Sequence, residues 1–125
     1  MLKSIMVVDD SRIAQLQLQE MLAGTDYQVV ACCQNGEEAL EMYEKIKPDL
    51  VTMDIVMPGM DGLDTARLLL KNYPGARVLM ISSLAYDDTI HEAEQIGAKG
   101  FVYKPFDQEQ VLTAIHKAFS DAKAK

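Results

Sequence analysis

The sequence predicts a doubly wound α/β domain, in which helices cover both faces of a parallel sheet. Continuous apolar runs, typical of strands buried on both faces, alternate with segments whose apolar residues recur at helical spacing, and this pair repeats about five times. The chain of 125 residues is 49% hydrophobic and shows no linker, internal repeat or low-complexity segment. We therefore expect residues 1–125 to form a single domain around one sheet.

The strands are predicted where the apolar residues run without interruption. They cover residues 5–8, 27–32, 49–54, 77–82 and 100–103. The Gly, Pro and Asn residues between these runs form turns or mark the ends of helices. The polar tail at 121–125 is expected to fray.

The helices are predicted in the intervening segments from apolar spacing and terminal residues. Ser11 or Asp10 can cap the first helix, and Asp107 can cap the last. The second and fourth helices are expected over 37–45 and 87–96. The side chains expected to face the core from the first three helices are Ala14, Leu18, Met21, Leu22, Ala39, Leu40, Tyr43, Ile46, Leu63, Ala66, Leu69 and Leu70.

Composition argues against several classes of partner. The net charge of -7 disfavours binding of nucleic acid through a basic face. No signal peptide and no apolar stretch of the ~20 residues that a membrane span needs is present. Cys32 and Cys33 are adjacent, so a disulfide between them would be strained, and we expect reduced thiols in a cytoplasmic protein.

Polar residues follow four of the predicted strands at the point where each strand ends. They are Asp9 and Asp10, Asp54, Ser82, and Lys104. Because parallel strands all run the same way, these side chains are expected to meet at the carboxyl edge of the sheet, where open α/β sheets bind ligands.

Three carboxylates that meet at one edge repel each other, and Lys104 supplies a single compensating charge. A hard cation such as Mg²⁺, which takes a few carboxylates together with water and phosphate oxygens, resolves the repulsion. Taken alone, Asp10 could be a helix cap, Asp54 a turn residue, and Lys104 a solvated side chain. Their joint occurrence at the strand ends instead favours magnesium-dependent phosphate chemistry.

The motifs that carry these residues resemble those of response-regulator receiver domains. The first is Val7-Val8-Asp9-Asp10-Ser11, and the second is Met53-Asp54 followed by Met57-Pro58-Gly59-Met60-Asp61-Gly62. The others are Ile81-Ser82-Ser83 and Lys104-Pro105-Phe106. The resemblance runs from about residue 4 to 118 and is closest in type to single-domain chemotaxis regulators. It implies the flavodoxin-like receiver fold, with five parallel strands in the order 2-1-3-4-5.

The resemblance assigns a metal and phosphorylation site. Asp54 would accept the phosphoryl group. Asp10 and Asp54 would bind Mg²⁺, or Mn²⁺ in its place, directly, and Asp9 would hold a metal-bound water. The backbone carbonyl of Val56 would be a further ligand.

Further implied roles concern the response to phosphorylation. Lys104 would contact the phosphoryl oxygens, oriented by a cis peptide bond before Pro105. Ser82 would hydrogen-bond the phosphoryl group and act as a switch together with Phe101, a position where Tyr is common in the family. Tyr103 shares the strand face of Phe101 by period two and is expected either to contribute to an output surface or simply to pack.

The implied partners are proteins. A histidine kinase or a histidine phosphotransfer protein would donate the phosphoryl group, and an output target would bind the face formed by the fourth helix, fifth strand and fifth helix. His91 and His116 are expected to be ordinary helix-face residues. The domain would be a monomer or a weak, phosphorylation-dependent dimer. It would not be an enzyme in the usual sense, since it modifies only itself.

Two apolar residues predict a slow loss of phosphate. In the family, the positions two residues after Asp54 and two after Ser82 tune hydrolysis, and they are occupied here by Val56 and Leu84. Neither side chain can hydrogen-bond an attacking water.

Other functions remain open from the sequence. The chain could be the receiver part of a larger regulator such as a transcription factor. A metal-dependent phosphatase of the haloacid dehalogenase type is disfavoured, because Asp9 and Asp10 are contiguous rather than spaced as Asp-x-Asp. A flavodoxin-like cofactor binder would need a phosphate-cradling loop after the first strand, where the acidic pair would repel phosphate.

Overall fold

The computed structural model describes residues 2–83 and 86–120, and their elements alternate strictly between strand and helix. The strands are β1 (Lys3–Val8), β2 (Tyr27–Cys33), β3 (Leu50–Asp54), β4 (Val78–Ser82) and β5 (Gly100–Tyr103). The helices are α1 (Arg12–Leu22), α2 (Gly36–Ile46), α3 (Gly62–Asn72), α4 (Asp87–Gln95) and α5 (Gln108–Phe119). The predicted α/β class is therefore confirmed.

The five strands form one parallel sheet in the order β2-β1-β3-β4-β5. This is the order that the family resemblance implied. The order reverses between β1 and β3, and the chain connections on either side of this point pass over opposite faces of the sheet. β5 lies at one edge of the sheet, so no described strand pairs with its outer side.

The sheet divides the core into two layers, because successive side chains on a strand point to opposite faces. One layer packs under α2, α3 and α4 and includes Met6, Val8, Met53, Met80 and Ala66. The other packs under α1 and α5 and includes Ile5, Val7, Leu18, Leu79 and Ile115.

Four helices begin at a polar residue whose side chain accepts a hydrogen bond from a backbone N–H in the first turn. These N-caps are Ser11, Asn35, Asp61 and Asp107. Ser11, rather than Asp10, caps α1, so the carboxylate of Asp10 is not used to begin the helix. In α5, Asp107 and Gln110 form a reciprocal capping box.

The structure corrects several boundaries and one core assignment. β2 extends to Cys33, β3 begins at Leu50 rather than at residue 49, and β4 begins at Val78 rather than at residue 77. Ile46 was expected to face the core, but it is 39% exposed because α2 ends there and Lys47 turns left-handed. The expectation that 121–125 frays concerns residues outside those described.

Cys32 and Cys33 are both free thiols, and they face opposite sides of the sheet. Burial is the main cause that raises the pKa of the Cys33 thiol to about 12, which makes it an unreactive packing residue. Among the described residues, no helix is long and apolar enough to span a bilayer.

Candidate functional site

The parallel sheet brings the predicted polar residues to one edge. Asp9 directly follows β1, and Asp54 and Ser82 are the last residues of β3 and β4. Lys104 directly follows β5. Asp54 lies beside Ile81 in the β3–β4 register, and Ser82 lies beside Tyr103 in the β4–β5 register. The order of the strands therefore places these side chains around one point.

The three carboxylates of Asp9, Asp10 and Asp54 form the centre of the site. Each offers an oxygen that lies within 4.8 Å of the others. Asp9 and Asp54 are buried, with 2% and 6% of their surface exposed, whereas Asp10 is exposed. The cluster therefore opens to solvent on the side of Asp10 and is closed beneath Asp54.

Lys104 is the cation of the site. Its Nζ donates a hydrogen bond of 2.9 Å to Asp9 Oδ2 and lies 3.6 Å from Asp54 Oδ1. Burial alone would lower the pKa of the Lys104 ammonium, but the hydrogen bond to Asp9 and the attraction of both carboxylates raise it above its usual value. The peptide bond between Lys104 and Pro105 is cis.

The surroundings of Asp54 disfavour the ionised form of its carboxylate. Burial, followed by repulsion from Asp9, raises its pKa from 3.8 to about 6, although Lys104 and the backbone N–H of Ile55 act in the opposite direction. Ile55 N donates to Asp54 Oδ1 over 2.9 Å. A single lysine therefore leaves the cluster with uncompensated negative charge.

The donor set fits a hard divalent cation. Three carboxylates supply oxygen ligands, and Asp9 already uses both of its oxygens to accept hydrogen bonds, from Ser11 N and from Lys104. Val56, whose carbonyl was expected as a ligand, lies two residues after Asp54 in the loop, with its side chain 56% exposed.

The loop after β3 is held by a close approach of two backbone segments. Gly62 N donates to Ile55 O over 2.8 Å, which closes the loop that carries Val56. A Cβ atom on Gly62 would lie 2.7 Å from the Asp54 carbonyl carbon and 2.8 Å from Ile55 Cα. Glycine is therefore required at this position by the backbone of the site residue itself.

The predicted switch residues lie on the neighbouring strands. Ser82 is buried, and its carbonyl accepts a hydrogen bond of 3.0 Å from Lys104 N. Phe101 is partly buried against the layer under α4, and its ring lies 5.4 Å from that of Tyr103. Tyr103 is half exposed, so it both packs on Phe101 and forms part of the surface.

One residue of the site was missed in the sequence. Gln15 is 2% exposed on the inner face of α1, and its side chain donates to the carbonyl of Asp9. Its spacing could have indicated its burial, since Gln15 lies three residues before Leu18 and Leu18 lies four before Leu22, which places all three on one face of the helix. His91 and His116 are both exposed on their helices, as expected.

Fold and site together define a class of protein, an open parallel α/β domain whose carboxyl edge gathers acidic groups and a lysine for a hard cation and a phosphate. Residues 5–116 match the family model described as the response regulator receiver domain. The chain therefore belongs to the response-regulator receiver family, and its function is that of a phosphoacceptor switch in two-component signalling.

Individual relatives agree with this assignment. The chain is 39% identical to chemotaxis protein CheY of Listeria monocytogenes over 114 residues, which cover 91% of this chain and 96% of that protein. It is 41% identical over 104 residues to a protein-glutamate methylesterase/protein-glutamine glutaminase of Archaeoglobus fulgidus, covering 81% of this chain and 29% of that protein.

A solved structure extends the likeness to the fold. The CheX-CheY-BeF3-Mg complex from Borrelia burgdorferi contains a chain with a TM-score of 0.91 and 32% identity, covering 94% of this chain and 89% of that one.

We predict that Gly62→Ala destabilises the domain by about 1–3 kcal/mol, because the added methyl group meets backbone atoms that cannot rotate away. Urea unfolding followed by circular dichroism measures the change. Gly75→Ala is the matched control, since nothing lies within 4 Å of a Cβ there, and it should stay within about 0.5 kcal/mol of wild type. Equal stability of the two variants would contradict the close approach.

We predict that Asp54→Asn stabilises the metal-free protein at pH 7.5. With a folded pKa of about 6 and an unfolded value near 3.8, Asp54 holds its proton more tightly when folded, so stability falls as pH rises from about 4 to 6 and the loss persists above pH 6. The gain should be about 1–3 kcal/mol at pH 7.5 and should vanish near pH 4.

The measurement is urea unfolding in EDTA at both pH values. Asp26→Asn, which removes an exposed carboxylate just before β2, is the control for the loss of one negative charge and should not stabilise the protein as Asp54→Asn does. A gain at pH 4 as large as that at pH 7.5 would show that ionisation of Asp54 is not its cause.

Proposed function

We propose that Asp54 accepts a phosphoryl group from a phosphohistidine of a histidine kinase or histidine phosphotransfer protein, in a Mg²⁺-dependent reaction. The observation that carries this proposal is the burial of Asp54 beside Asp9, Asp10 and Lys104 at the sheet edge. The carboxylates of such a site repel one another when it is empty. A bound cation would offset this repulsion and would also attract a phosphate.

In this reaction an oxygen of the Asp54 carboxylate supplies the electron pair for the new O–P bond. The P–N bond of the donor breaks, and its electron pair returns to the imidazole. Lys104 is positioned to neutralise negative charge on the phosphoryl oxygens, because its Nζ already lies between Asp9 and Asp54. The buried wall beneath Asp54 limits the access of water to the reacting oxygen.

Asp10, Asp54 and the carbonyl of Val56 are the groups that would hold the metal, and Asp9 would act through a water. Mg²⁺ or Mn²⁺ would neutralise negative charge on the phosphoryl oxygens, and electrostatic stabilisation of this kind, together with positioning, accounts for most of the catalysis of phosphoryl transfer. The exposed position of Asp10 supports this division, because a metal that keeps several waters needs an open side.

The proposed output begins at Ser82, which would hydrogen-bond the phosphoryl group, and continues through Phe101 to the surface formed by α4, β5 and α5. A groove of about 430 Å³ lies on this surface and is lined by both apolar and polar residues of β5 and α5. Tyr103 and Phe101 line the groove, so a change in their packing would alter what the groove accepts. This surface is the proposed binding site for an output protein.

We further propose a chemotaxis role for residues 1–125 as one domain in the cytoplasm. The support is the match to CheY proteins over nearly their full length. The alternative is a receiver joined to an output domain, and it is supported by the match to 29% of a much longer protein-glutamate methylesterase/protein-glutamine glutaminase. The length of the complete gene product distinguishes these two arrangements.

The decisive experiment is incubation with acetyl phosphate and Mg²⁺, followed by intact mass spectrometry. We expect wild type to gain one phosphoryl group and Asp54→Asn to gain none, because the nucleophilic carboxylate is gone. EDTA should abolish the gain in wild type.

The control for a general effect of lost acidity is Asp26→Asn, which should be modified like wild type. A gain of mass on Asp54→Asn, or modification mapped by peptide mass spectrometry to Asp9 or Asp10, would contradict the proposed role of Asp54.

The apolar side chains at Val56 and Leu84 lead to a prediction on phosphate lifetime. Leu84 lies outside the described residues, whereas Val56 is exposed beside the site. The double change Val56→Asn and Leu84→Glu should accelerate dephosphorylation about tenfold or more, because polar groups there can position an attacking water. Loss of phosphate over time after removal of the donor is the measurement, with Leu68→Asn at an exposed position of α3 as control. An unchanged rate in the double variant would contradict this idea.

A further inference from the structure

Gln15 is a buried polar side chain on α1 that is surrounded by backbone of the acidic site. It is 2% exposed, and each of its polar atoms has a partner. Its Nε2 donates to Asp9 O over 2.8 Å and to Cys33 O over 3.3 Å, and its Oε1 accepts from Arg12 Nη1 over 3.0 Å. Long amide side chains are rarely buried unless they are fully paired in this way.

These bonds close a small hydrogen-bonded ring at the ends of β1 and β2. Asp9 N donates to Cys33 O over 2.9 Å, and the same carbonyl accepts from Gln15 Nε2, which also donates to Asp9 O. The backbone of Asp9 is thereby fixed at both its N–H and its carbonyl. Its carboxylate is fixed separately by Ser11 N and Lys104 Nζ.

The contact from Arg12 determines how the Gln15 amide is oriented. Because a guanidinium can only donate, the atom of Gln15 that faces Arg12 must be the oxygen. The NH₂ group therefore faces the two carbonyls, which can only accept.

We infer that Gln15 is a positioning residue, which holds the segment bearing Asp9 and Asp10 in the arrangement that binds the metal. This inference rests on the proposed function of the acidic site. A buried partner of this kind acts through the groups that it orients, and loss of such partners typically weakens metal binding 10–100-fold. Asp9 and Asp10 are adjacent in the chain, so loosening the carbonyl of one displaces the carboxylate of the other.

The test compares Gln15→Met with wild type at a temperature well below unfolding. Methionine has nearly the same length and cannot donate to either carbonyl. We expect the dissociation constant for Mg²⁺, measured by calorimetry, to rise about tenfold. In the metal-free protein we expect the amide hydrogens of Asp9 and Asp10 to exchange with solvent several-fold faster in NMR spectra.

Leu18→Ala is the matched control, since Leu18 is equally buried about one turn further along α1 and belongs to the apolar core layer under α1 and α5. It should lower the thermal midpoint and leave the Mg²⁺ dissociation constant within about twofold of wild type. Gln15→Asn is the second variant, which keeps the amide but is one methylene too short to reach Asp9 O. It should weaken Mg²⁺ binding in the same direction, and it serves if Gln15→Met does not fold.

The outcomes separate this inference from the proposed function. If wild type binds Mg²⁺ and is phosphorylated while both Gln15 variants bind the metal as tightly as wild type, Gln15 is only a core residue and the inference is overturned. A wild type that binds no Mg²⁺ overturns the proposed function and this inference with it. Weaker binding in the Gln15 variants, with Leu18→Ala unchanged, supports the positioning role.

Discussion

The repulsion among three carboxylates at one edge of the sheet is the constraint on which the rest of the site depends. Asp54 cannot relieve it by exposure to water, because only 6% of its surface is exposed. Lys104 relieves it only in part, since its shortest contact is to Asp9. The folded chain therefore carries an unfavourable charge arrangement at neutral pH, which a bound cation would relieve.

The arrangement persists because backbone groups, rather than side-chain charges, hold it in place. Ser11 N, Ile55 N and the hydrogen bond from Gly62 to Ile55 fix the segments that carry the acidic residues. The hydrogen bond from Gly62 N to Ile55 O holds that loop against the end of β3. A site built in this way keeps its geometry whether or not its charges are satisfied.

The sequence was sufficient for those features that depend on one element at a time. The carboxyl ends of β1, β3, β4 and β5 and the cap Asp107 could be predicted, and Ser11 was one of two candidates for the cap of α1, because a continuous apolar run and a capping side chain are local signals. The parallel direction of the strands then placed the acidic residues together. The strand order came from the motifs of the family, since no local pattern distinguishes 2-1-3-4-5 from other parallel orders.

Features that depend on contacts between elements could not be predicted from the sequence. Glutamine is usually exposed on a helix, and the burial of Gln15 follows only from the carbonyls of Asp9 and Cys33 that lie above it. Ile46 continues the apolar stripe of α2, yet it is the last residue of the helix and remains 39% exposed. The connection between the acidic site and the proposed output surface also depends on a contact between elements, namely the pairing of β4 with β5. Lys104 N donates to Ser82 O, so the two residues proposed to contact the phosphoryl group lie at the hydrogen-bonded ends of these neighbouring strands. A phosphoryl group that draws both inward would therefore act directly on β5, the edge strand that carries Phe101 and Tyr103.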